Sequence, residues 1–433
     1  MAEMPKVKYT GKIREVKLGR QGREVVVGGE SGYSFYSFEG KMPNAPKLAL
    51  QVLDIEPEEW APEALEAFKG VLGDPVAWAK KCVDEYKADI VCLWLAGTDP
   101  NGKDLSAEHA AEVAKKVAEA INVPLIVWGT SNDEKNTEVL KAVAEACSGY
   151  NVVLGPVTEG NYKQVGAAAI AYKHVVSANS PIDINLAKQL NILLENLGVP
   201  NDKILIDPTT GSVGYGMEYC YSIMERIRQA ALTQNDEKLQ YPIINNIAEE
   251  VWKTKEAKLP TEESPKLGEA GMRGVNLEAI TAISALQAGS DVLILRHPQT
   301  MAHVRKYIAD LSVETDLESM GVDLSLAAAP APAEPAKAAP AKASAPAPKP
   351  TPTATPKPVP VAAREVAEPE VQPEEEVAPT PKPGPASIES SAFQAGGSEQ
   401  LTDEEIEALK ELVSIFRALR NFFTGLSRLG SGQ

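Results

Sequence analysis

Residues that commonly bind metals are scarce in this sequence. Its 433 residues include only four cysteines and four histidines. The cysteines lie far apart without a C-x-x-C pair, whereas structural zinc sites and iron–sulfur clusters use closely spaced thiolates. The histidines include no pair at one-turn spacing. We therefore expect buried structural thiols, with any redox cluster on another chain. The four cysteines are Cys82, Cys92, Cys147 and Cys220.

Positive charge and long apolar runs are also lacking. The formal net charge is −17 at pH 7, which argues against nucleic-acid binding because phosphates would be repelled. No apolar run approaches the length that spans a membrane, and the first residues include no secretory hydrophobic region. We expect a cytoplasmic protein that binds neither nucleic acid nor a membrane.

Short apolar runs alternate with helical patterns through most of the chain, which is typical of repeated βα units. Eight strands and eight helices within roughly 265 residues favour a (β/α)8 TIM barrel over an open doubly wound sheet. We assign the barrel to residues 47–325 and a preceding hairpin, expected to cap the barrel floor, to residues 1–46. The predicted strands are 48–53, 90–95, 125–128, 152–154, 174–176, 204–206, 243–244 and 292–295.

The composition changes sharply near residue 326. Residues 326–400 are rich in alanine and proline with almost no aromatics, so we expect a disordered linker. Residues 401–433 then carry apolar side chains at helical intervals behind an acidic first turn. This pattern predicts an amphipathic helix, either a docking segment or an incidental terminal helix.

Polar residues follow several of the predicted strands where each one ends. The stretch KILIDPTTGSVGYGMEY, residues 203–219, brings a carboxylate and two hydroxyls to the end of a buried strand. In α/β barrels these ends form the ligand-binding rim, although an aspartate before proline also serves as a loop or helix cap. Neutral amides and hydroxyls dominate, which suits hydrogen bonding to a large heterocycle better than hydrolysis. The candidate binding residues are Asn179, Asp207, Thr209, Thr210, Gly211 and Asn245.

Two further features lie at the same end of the predicted barrel. The connection between Ile247 and Gly274 is longer than most, which makes it a second candidate contact surface. His297 is the histidine that falls on the rim, where it either has a functional role or begins the last helix. The sequence predicts no catalytic residue and no metal ligand.

Several separate motifs resemble one known family, the small subunit of the corrinoid iron–sulfur protein, which is the delta subunit of the acetyl-CoA decarbonylase/synthase complex. The resemblance covers residues 7–312. Its motifs are Lys8-Tyr-Thr-Gly-Lys-Ile13, Phe38-Glu-Gly-Lys-Met-Pro-Asn44, Asp74-Pro-Val-Ala-Trp-Ala-Lys-Lys-Cys82, Ile206-Asp-Pro-Thr-Thr-Gly211 and Leu295-Arg-His-Pro298.

The resemblance implies a barrel paired with a larger subunit that carries a [4Fe-4S] cluster and most contacts to a corrinoid. The corrinoid would lie between that subunit and this barrel's rim. The heterodimer would accept a methyl group from methyltetrahydrofolate, through a separate methyltransferase, and pass it to acetyl-CoA synthase/CO dehydrogenase in the Wood–Ljungdahl pathway. Two alternatives stay open: a stand-alone pterin-dependent methyltransferase and a purely structural scaffold subunit.

Overall fold

The computed structural model describes residues 6–58 and 60–312 of the chain. Within them, eight parallel strands form a closed barrel in the order β10-β3-β4-β5-β6-β7-β8-β9, and β1 and β2 form an antiparallel hairpin. The strands are β1 (Glu15–Leu18), β2 (Val25–Gly28), β3 (Lys47–Leu53), β4 (Ile90–Trp94), β5 (Leu125–Trp128), β6 (Val153–Val157), β7 (Val175–Asn179), β8 (Ile204–Asp207), β9 (Ile243–Asn246) and β10 (Ser290–Leu295).

The predicted (β/α)8 barrel is confirmed, because each predicted barrel strand overlaps an observed one. Helices flank the strands, and several begin at an aspartate, serine or asparagine whose side chain accepts hydrogen bonds from the first turn. The helices are α1 (Pro62–Glu66), α2 (Pro75–Asp84), α3 (Ala107–Ala120), α4 (Asp133–Ala146), α5 (Tyr162–Tyr172), α6 (Ile184–Leu197), α7 (Met217–Leu232), α8 (Ile247–Lys253), α9 (Lys255–Lys258), α10 (Ala270–Gln287) and α11 (Pro298–Ser312).

Two buried apolar clusters hold the fold together. One fills the barrel interior, where residues from successive strands point inward. The other lies between the barrel and its helices. Strands that are buried on both faces carry apolar residues at successive positions, which is why these strands read as unbroken apolar runs in the sequence. Side chains still alternate between the two clusters along each strand.

The hairpin closes the end of the barrel opposite the rim, as the sequence predicts. Val16, Leu18 and Val27 are at most 1% exposed and belong to the cluster inside the barrel. The first hairpin strand begins at Glu15, within the residues 1–46 that the sequence assigns to the hairpin. The apolar side chains of the hairpin therefore fill the floor of the barrel.

All four cysteines are free and buried. Burial raises the pKa of each thiol, in the case of Cys147 to about 12. A thiol with such a pKa is unreactive at neutral pH, which agrees with the structural role expected from the sequence. The predicted linker (326–400) and terminal helix (401–433) lie outside the described residues and stay predictions.

Candidate functional site

Asn179 and Asp207 lie together at the mouth of the barrel. They are the last residues of β7 and β8 and are register partners in the sheet. Both occur at inward-facing positions, two residues beyond Ser177 and Leu205 respectively. Asn179 Nδ2 donates a hydrogen bond of 2.7 Å to Asp207 Oδ2. The amide and the carboxyl that the sequence predicts on one rim are thus directly bonded.

Asp207 is only 2% exposed, so its carboxyl is buried. Its second oxygen, Oδ1, accepts a 3.0 Å hydrogen bond from the backbone N–H of Thr209, which the loop holds at a φ of 55°. Burial raises the pKa of Asp207 to about 7, and the hydrogen bonds from Asn179 and Thr209 only partly oppose this effect. Near neutral pH the carboxyl therefore exists in both protonation states and is able to donate or accept a hydrogen bond.

A cavity of ≈ 390 Å³ opens above this pair, and we refer to it as the rim cavity. Trp94 and Trp128 lie on one side of it, and the indole N–H of Trp94 donates to the carbonyl of Gly129 at 3.0 Å, which fixes that ring. The volume is within the range of small-molecule sites. The lining residues are Trp94, Asp99, Trp128, Gly129, Thr130, Ser131, Pro156, Asn179, Asp207, Thr209, Thr210, Asn246, Glu249, Glu250 and Lys253.

One edge of the rim cavity is charged, which the sequence does not predict. Glu249, Glu250 and Lys253 project from α8, which begins directly after β9. Lys253 Nζ lies 2.6 Å from Glu249 Oε1 and 3.6 Å from Glu250 Oε1, so that the three charges partly compensate one another. Burial raises the pKa of Glu250. The long connection after β9 is the segment that the sequence marks as a contact surface, and its first helix does reach the rim.

The two asparagines that end β9 face in opposite directions. Ile243 belongs to the outer apolar cluster and Ile244 to the cluster inside the barrel. By alternation Asn245 points outward, and its Nδ2 lies 3.7 Å from Met224 Sδ on α7. Asn246 is the inward residue that lines the rim cavity, and its side chain also accepts from the N–H of Glu249 to cap α8. The structure therefore does not bring Asn245 to the cavity.

The other predicted residues lie in the loop after β8. Thr209 and Thr210 both line the rim cavity. Thr210 is buried and its hydroxyl donates to the carbonyl of Asn246 at 3.3 Å, which ties this loop to β9. Gly211 is exposed, and its N–H donates to Thr209 Oγ1 at 3.3 Å. Four of the six candidates line the cavity, while Gly211 supports the loop behind it.

Packed side chains fill the opposite side of the mouth, at β10 and β3. The guanidinium of Arg296 lies 4.1 Å from the ring centroid of Trp60, and Arg296 Nε donates to Gln51 Oε1 at 3.0 Å. The buried carboxylate of Glu278 accepts from the backbone N–H groups of Arg296 and His297, at 2.6 Å and 3.1 Å. His297 is 9% exposed within this packing.

A second cleft, also of ≈ 390 Å³, opens beside the rim cavity and shares Asn179 and Thr209 with it. We call it the side cleft. The sequence does not predict it, because its residues come from four separate βα connections. They are Asp133, Thr158, Glu159, Gly160, Asn179, Ser180, Pro181, Leu186, Gln189, Leu190, Leu193 and Thr209.

Two features are absent from the described residues. Residues 6–58 and 60–312 contain no group of three or more histidine, cysteine, aspartate or glutamate side chains placed to hold a metal ion. Over the same residues, no helix is both long enough and apolar enough to cross a membrane.

The fold and the rim cavity define a (β/α)8 barrel protein that offers a polar, small-molecule-sized site at the carboxyl ends of its strands. The family model described as the CO dehydrogenase/acetyl-CoA synthase delta subunit matches residues 15–306. The chain belongs to this family. The resemblance given by its sequence motifs is confirmed.

Curated relatives agree with this assignment. A protein of Archaeoglobus fulgidus named acetyl-CoA decarbonylase/synthase complex subunit delta is 36% identical over 313 residues, covering 70% of this chain and 69% of that protein. A protein of the same name from Methanopyrus kandleri is 36% identical over 318 residues, 71% of this chain and 78% of its own. Subunit delta 1 of Methanosarcina thermophila is 33% identical over 326 residues, 72% and 74%.

Solved structures with a similar fold include dihydropteroate synthase from Xanthomonas albilineans with 4-aminobenzoic acid. It is 15% identical and has a TM-score of 0.45, covering 65% of this chain and 98% of that one. Likeness at this level supports no conclusion about the ligand of this chain.

Proposed function

We propose that this chain is the delta subunit of an acetyl-CoA decarbonylase/synthase complex and acts as the small subunit of a corrinoid iron–sulfur protein. The larger subunit of that heterodimer would carry the [4Fe-4S] cluster and most of the corrinoid contacts. The observation that carries the proposal is the polar rim cavity above Asn179 and Asp207, on a barrel whose family membership is shown. The names of the relatives support the assignment to this complex.

The residues of the rim cavity fit part of a corrinoid. A corrin ring carries neutral amide side chains, which both donate and accept hydrogen bonds. Asn179, Thr209 and Asn246 offer matching groups, and Asp207 can act in either sense because its pKa lies near 7. A corrin ring with its side chains is larger than a ≈ 390 Å³ cavity. The cavity would therefore hold one edge of the ring, with the partner subunit covering the rest.

When bound, the corrinoid would supply the cobalt that carries the methyl group. This chain would orient the ring through its amides and would exclude water from the covered edge. Asp207 and Asn179 would bond the ring without placing a permanent buried charge beside it. The chain would thus be a non-catalytic or co-catalytic subunit. Its heterodimer would receive the methyl group from methyltetrahydrofolate through a methyltransferase and deliver it to acetyl-CoA synthase/CO dehydrogenase.

The experiment that tests this proposal measures cobalt and iron in the heterodimer. The double variant Asn179→Ala/Asp207→Ala should keep the larger subunit and its iron but lose most of the cobalt. Asn122→Ala is the matched control, since this exposed asparagine lies before β5 at the other end of the barrel. Full cobalt content in the double variant would refute the proposed role of the rim.

Two further measurements test the alternative roles. A stand-alone pterin-dependent methyltransferase would bind methyltetrahydrofolate tightly as a purified single chain, which calorimetry measures. A pure scaffold would hold the larger subunit with no contact to the corrinoid, and a structure of the heterodimer would show that separation.

A further inference from the structure

The side cleft has one apolar wall. Leu186, Leu190 and Leu193 project from α6, at positions that lie on one face of a helix. Leu186 is 39% exposed, whereas other residues that line the same cleft are buried. This wall offers packing to methyl and methylene groups but no hydrogen bond.

The facing wall is polar and acidic. Asp133 begins α4, and its Oδ1 accepts a 2.8 Å hydrogen bond from the hydroxyl of Thr158. The other oxygen, Oδ2, lies beside Gly160, where a Cβ would stand only 2.3 Å away. Any larger residue at position 160 would clash with the carboxylate of Asp133, so the glycine allows that carboxylate to lie in the cleft. Asp133 and Glu159 give the cleft negative charge, and among the described residues that line it there is no lysine or arginine.

Ser180 supplies the most specific feature. It is 2% exposed, and its backbone N–H is bonded to the carbonyl of Asp207 at 2.9 Å, which fixes its position. Its Oγ is buried and has no hydrogen-bond partner within the described residues. A buried hydroxyl without a partner costs on the order of 1–3 kcal/mol. Ser180 lines the side cleft, so a ligand that reaches its hydroxyl would supply the missing hydrogen bond.

We propose that the side cleft binds a neutral, amide-bearing arm of the ligand whose main body lies in the rim cavity. The arm would pass Asn179 and Thr209, which line both spaces, and pack its methylene groups on the leucines of α6. The N–H groups of its terminal amide would donate to Ser180 Oγ and to the carboxylate of Asp133. The two carboxylates disfavour an arm that carries phosphate. This inference rests on the proposed function, in which the ligand is a corrinoid.

The test uses heterodimer from which the corrinoid has been removed, titrated with three probes and followed by absorbance. Dicyanocobinamide has the amide arms but no nucleotide, cyanocobalamin has both, and dicyanocobyrinic acid heptamethyl ester has esters in place of the amides. Ser180→Ala should weaken cobinamide and cobalamin equally, by about three- to tenfold, since one hydrogen bond is lost. Binding of the ester should change much less, because the ester has no N–H to donate.

Two further variants complete the design. Leu186→Trp narrows the cleft from an exposed position, so it should fold normally and also weaken cobinamide binding. Ser148→Ala, at an exposed serine after α4, is the matched control and should change nothing. The inference would be overturned if Ser180→Ala weakened binding of the amide and ester probes equally, or weakened neither, while the wild-type heterodimer still bound corrinoid. The inference would also be overturned if the variants formed the heterodimer less well but kept the same relative affinities for the three probes. The cleft would then be a contact surface for the partner protein. A wild-type heterodimer that binds none of the probes would instead refute the proposed function.

Discussion

Asn179 Nδ2 lies 2.7 Å from Asp207 Oδ2, so an amide on β7 directly contacts a buried carboxyl on β8. The pKa of Asp207 is raised from 3.8 to about 7, chiefly by burial. Between these two values the folded chain keeps a proton that the unfolded chain has released. The contribution of Asp207 to stability is therefore fully present below pH 4 and is lost as the pH rises toward 7.

This linkage gives the first prediction. The free energy of unfolding of the wild type, relative to Asp207→Asn, should fall by about 1.4 kcal/mol per pH unit between pH 4 and 7 and then level off. Urea unfolding of both proteins at pH 4.5, 5.5, 6.5 and 8 measures the difference. Since all other ionisable groups are common to the two proteins, parallel pH curves would show that the carboxyl is ionised throughout.

The second prediction concerns a buried ion pair on the barrel floor. Arg228 and Asp291 are each 2% exposed and form a salt bridge, and Asp291 Oδ2 also accepts from the N–H of Ile243 at 2.6 Å. Asp291→Ala would leave the guanidinium buried without its partner and should cost about 3–5 kcal/mol of unfolding free energy. Urea denaturation measures this loss.

Glu30 provides the matched comparison within the same cluster. Burial, followed by the charge of Asp291, raises the pKa of Glu30 well above its usual value, which favours the neutral form of this carboxyl. Glu30→Gln places a neutral side chain of similar shape at this position and should therefore change stability by less than about 1 kcal/mol. A large loss for Glu30→Gln, or a small one for Asp291→Ala, would contradict this distribution of charge.

The third prediction is that Arg273 orders the segment between α9 and α10. Its buried guanidinium donates five hydrogen bonds to backbone carbonyls of this segment, in a fork that lysine cannot reproduce. Arg273→Lys should lower local stability by about 1.4 kcal/mol or more, which would speed proteolysis there about tenfold. Peptide mapping after brief digestion locates the cuts. The acceptors are Leu259, Pro260, Ser264 and Gly268.

Lys266→Ala is the control for this third prediction, because Lys266 is exposed in the same segment. It should be cut at the wild-type rate. If both variants were cut equally fast, or Arg273→Lys as slowly as the wild type, the hydrogen bonds of Arg273 would not be what orders this segment.

The fourth prediction tests the hairpin as part of the barrel core. Leu18 is fully buried among the interior residues. Leu18→Ala should cost about 2–5 kcal/mol, as large cavities in packed cores do. Val7→Ala, at a residue that is 51% exposed, should cost almost nothing. Thermal unfolding of the two variants compares them, and equal melting temperatures would mean that the hairpin is not a structural part of the barrel.

Most of the barrel could be predicted because its strands are buried on both faces. Such strands give unbroken apolar runs, and every run identified in the sequence overlaps a strand. The same property hides the direction of side chains. In the strand Ile243–Asn246 all four residues are buried, so the sequence could not show that Asn246 faces the cavity and Asn245 faces α7.

The sequence does not predict the acidic edge of the rim cavity, for a different reason. The helix α8 has only seven residues, and the asparagine that caps it also ends a strand. A segment of that length shows too little periodicity to be told from a loop. Trp94 and Trp128 were also missed as cavity walls, although both stand at inward positions at the ends of their strands.

The sequence by itself determined the barrel, its hairpin and the family, because these depend on local apolar patterns and on motifs that lie within one stretch of chain. Only the tertiary structure decided which side chains share a cavity. The contacts of Asn179 with Asp207, of Arg296 with Trp60, and the side cleft each join residues from separate connections. Such contacts are set by closure of the sheet and by which face of each strand turns inward, and neither leaves a local signal when both faces are buried.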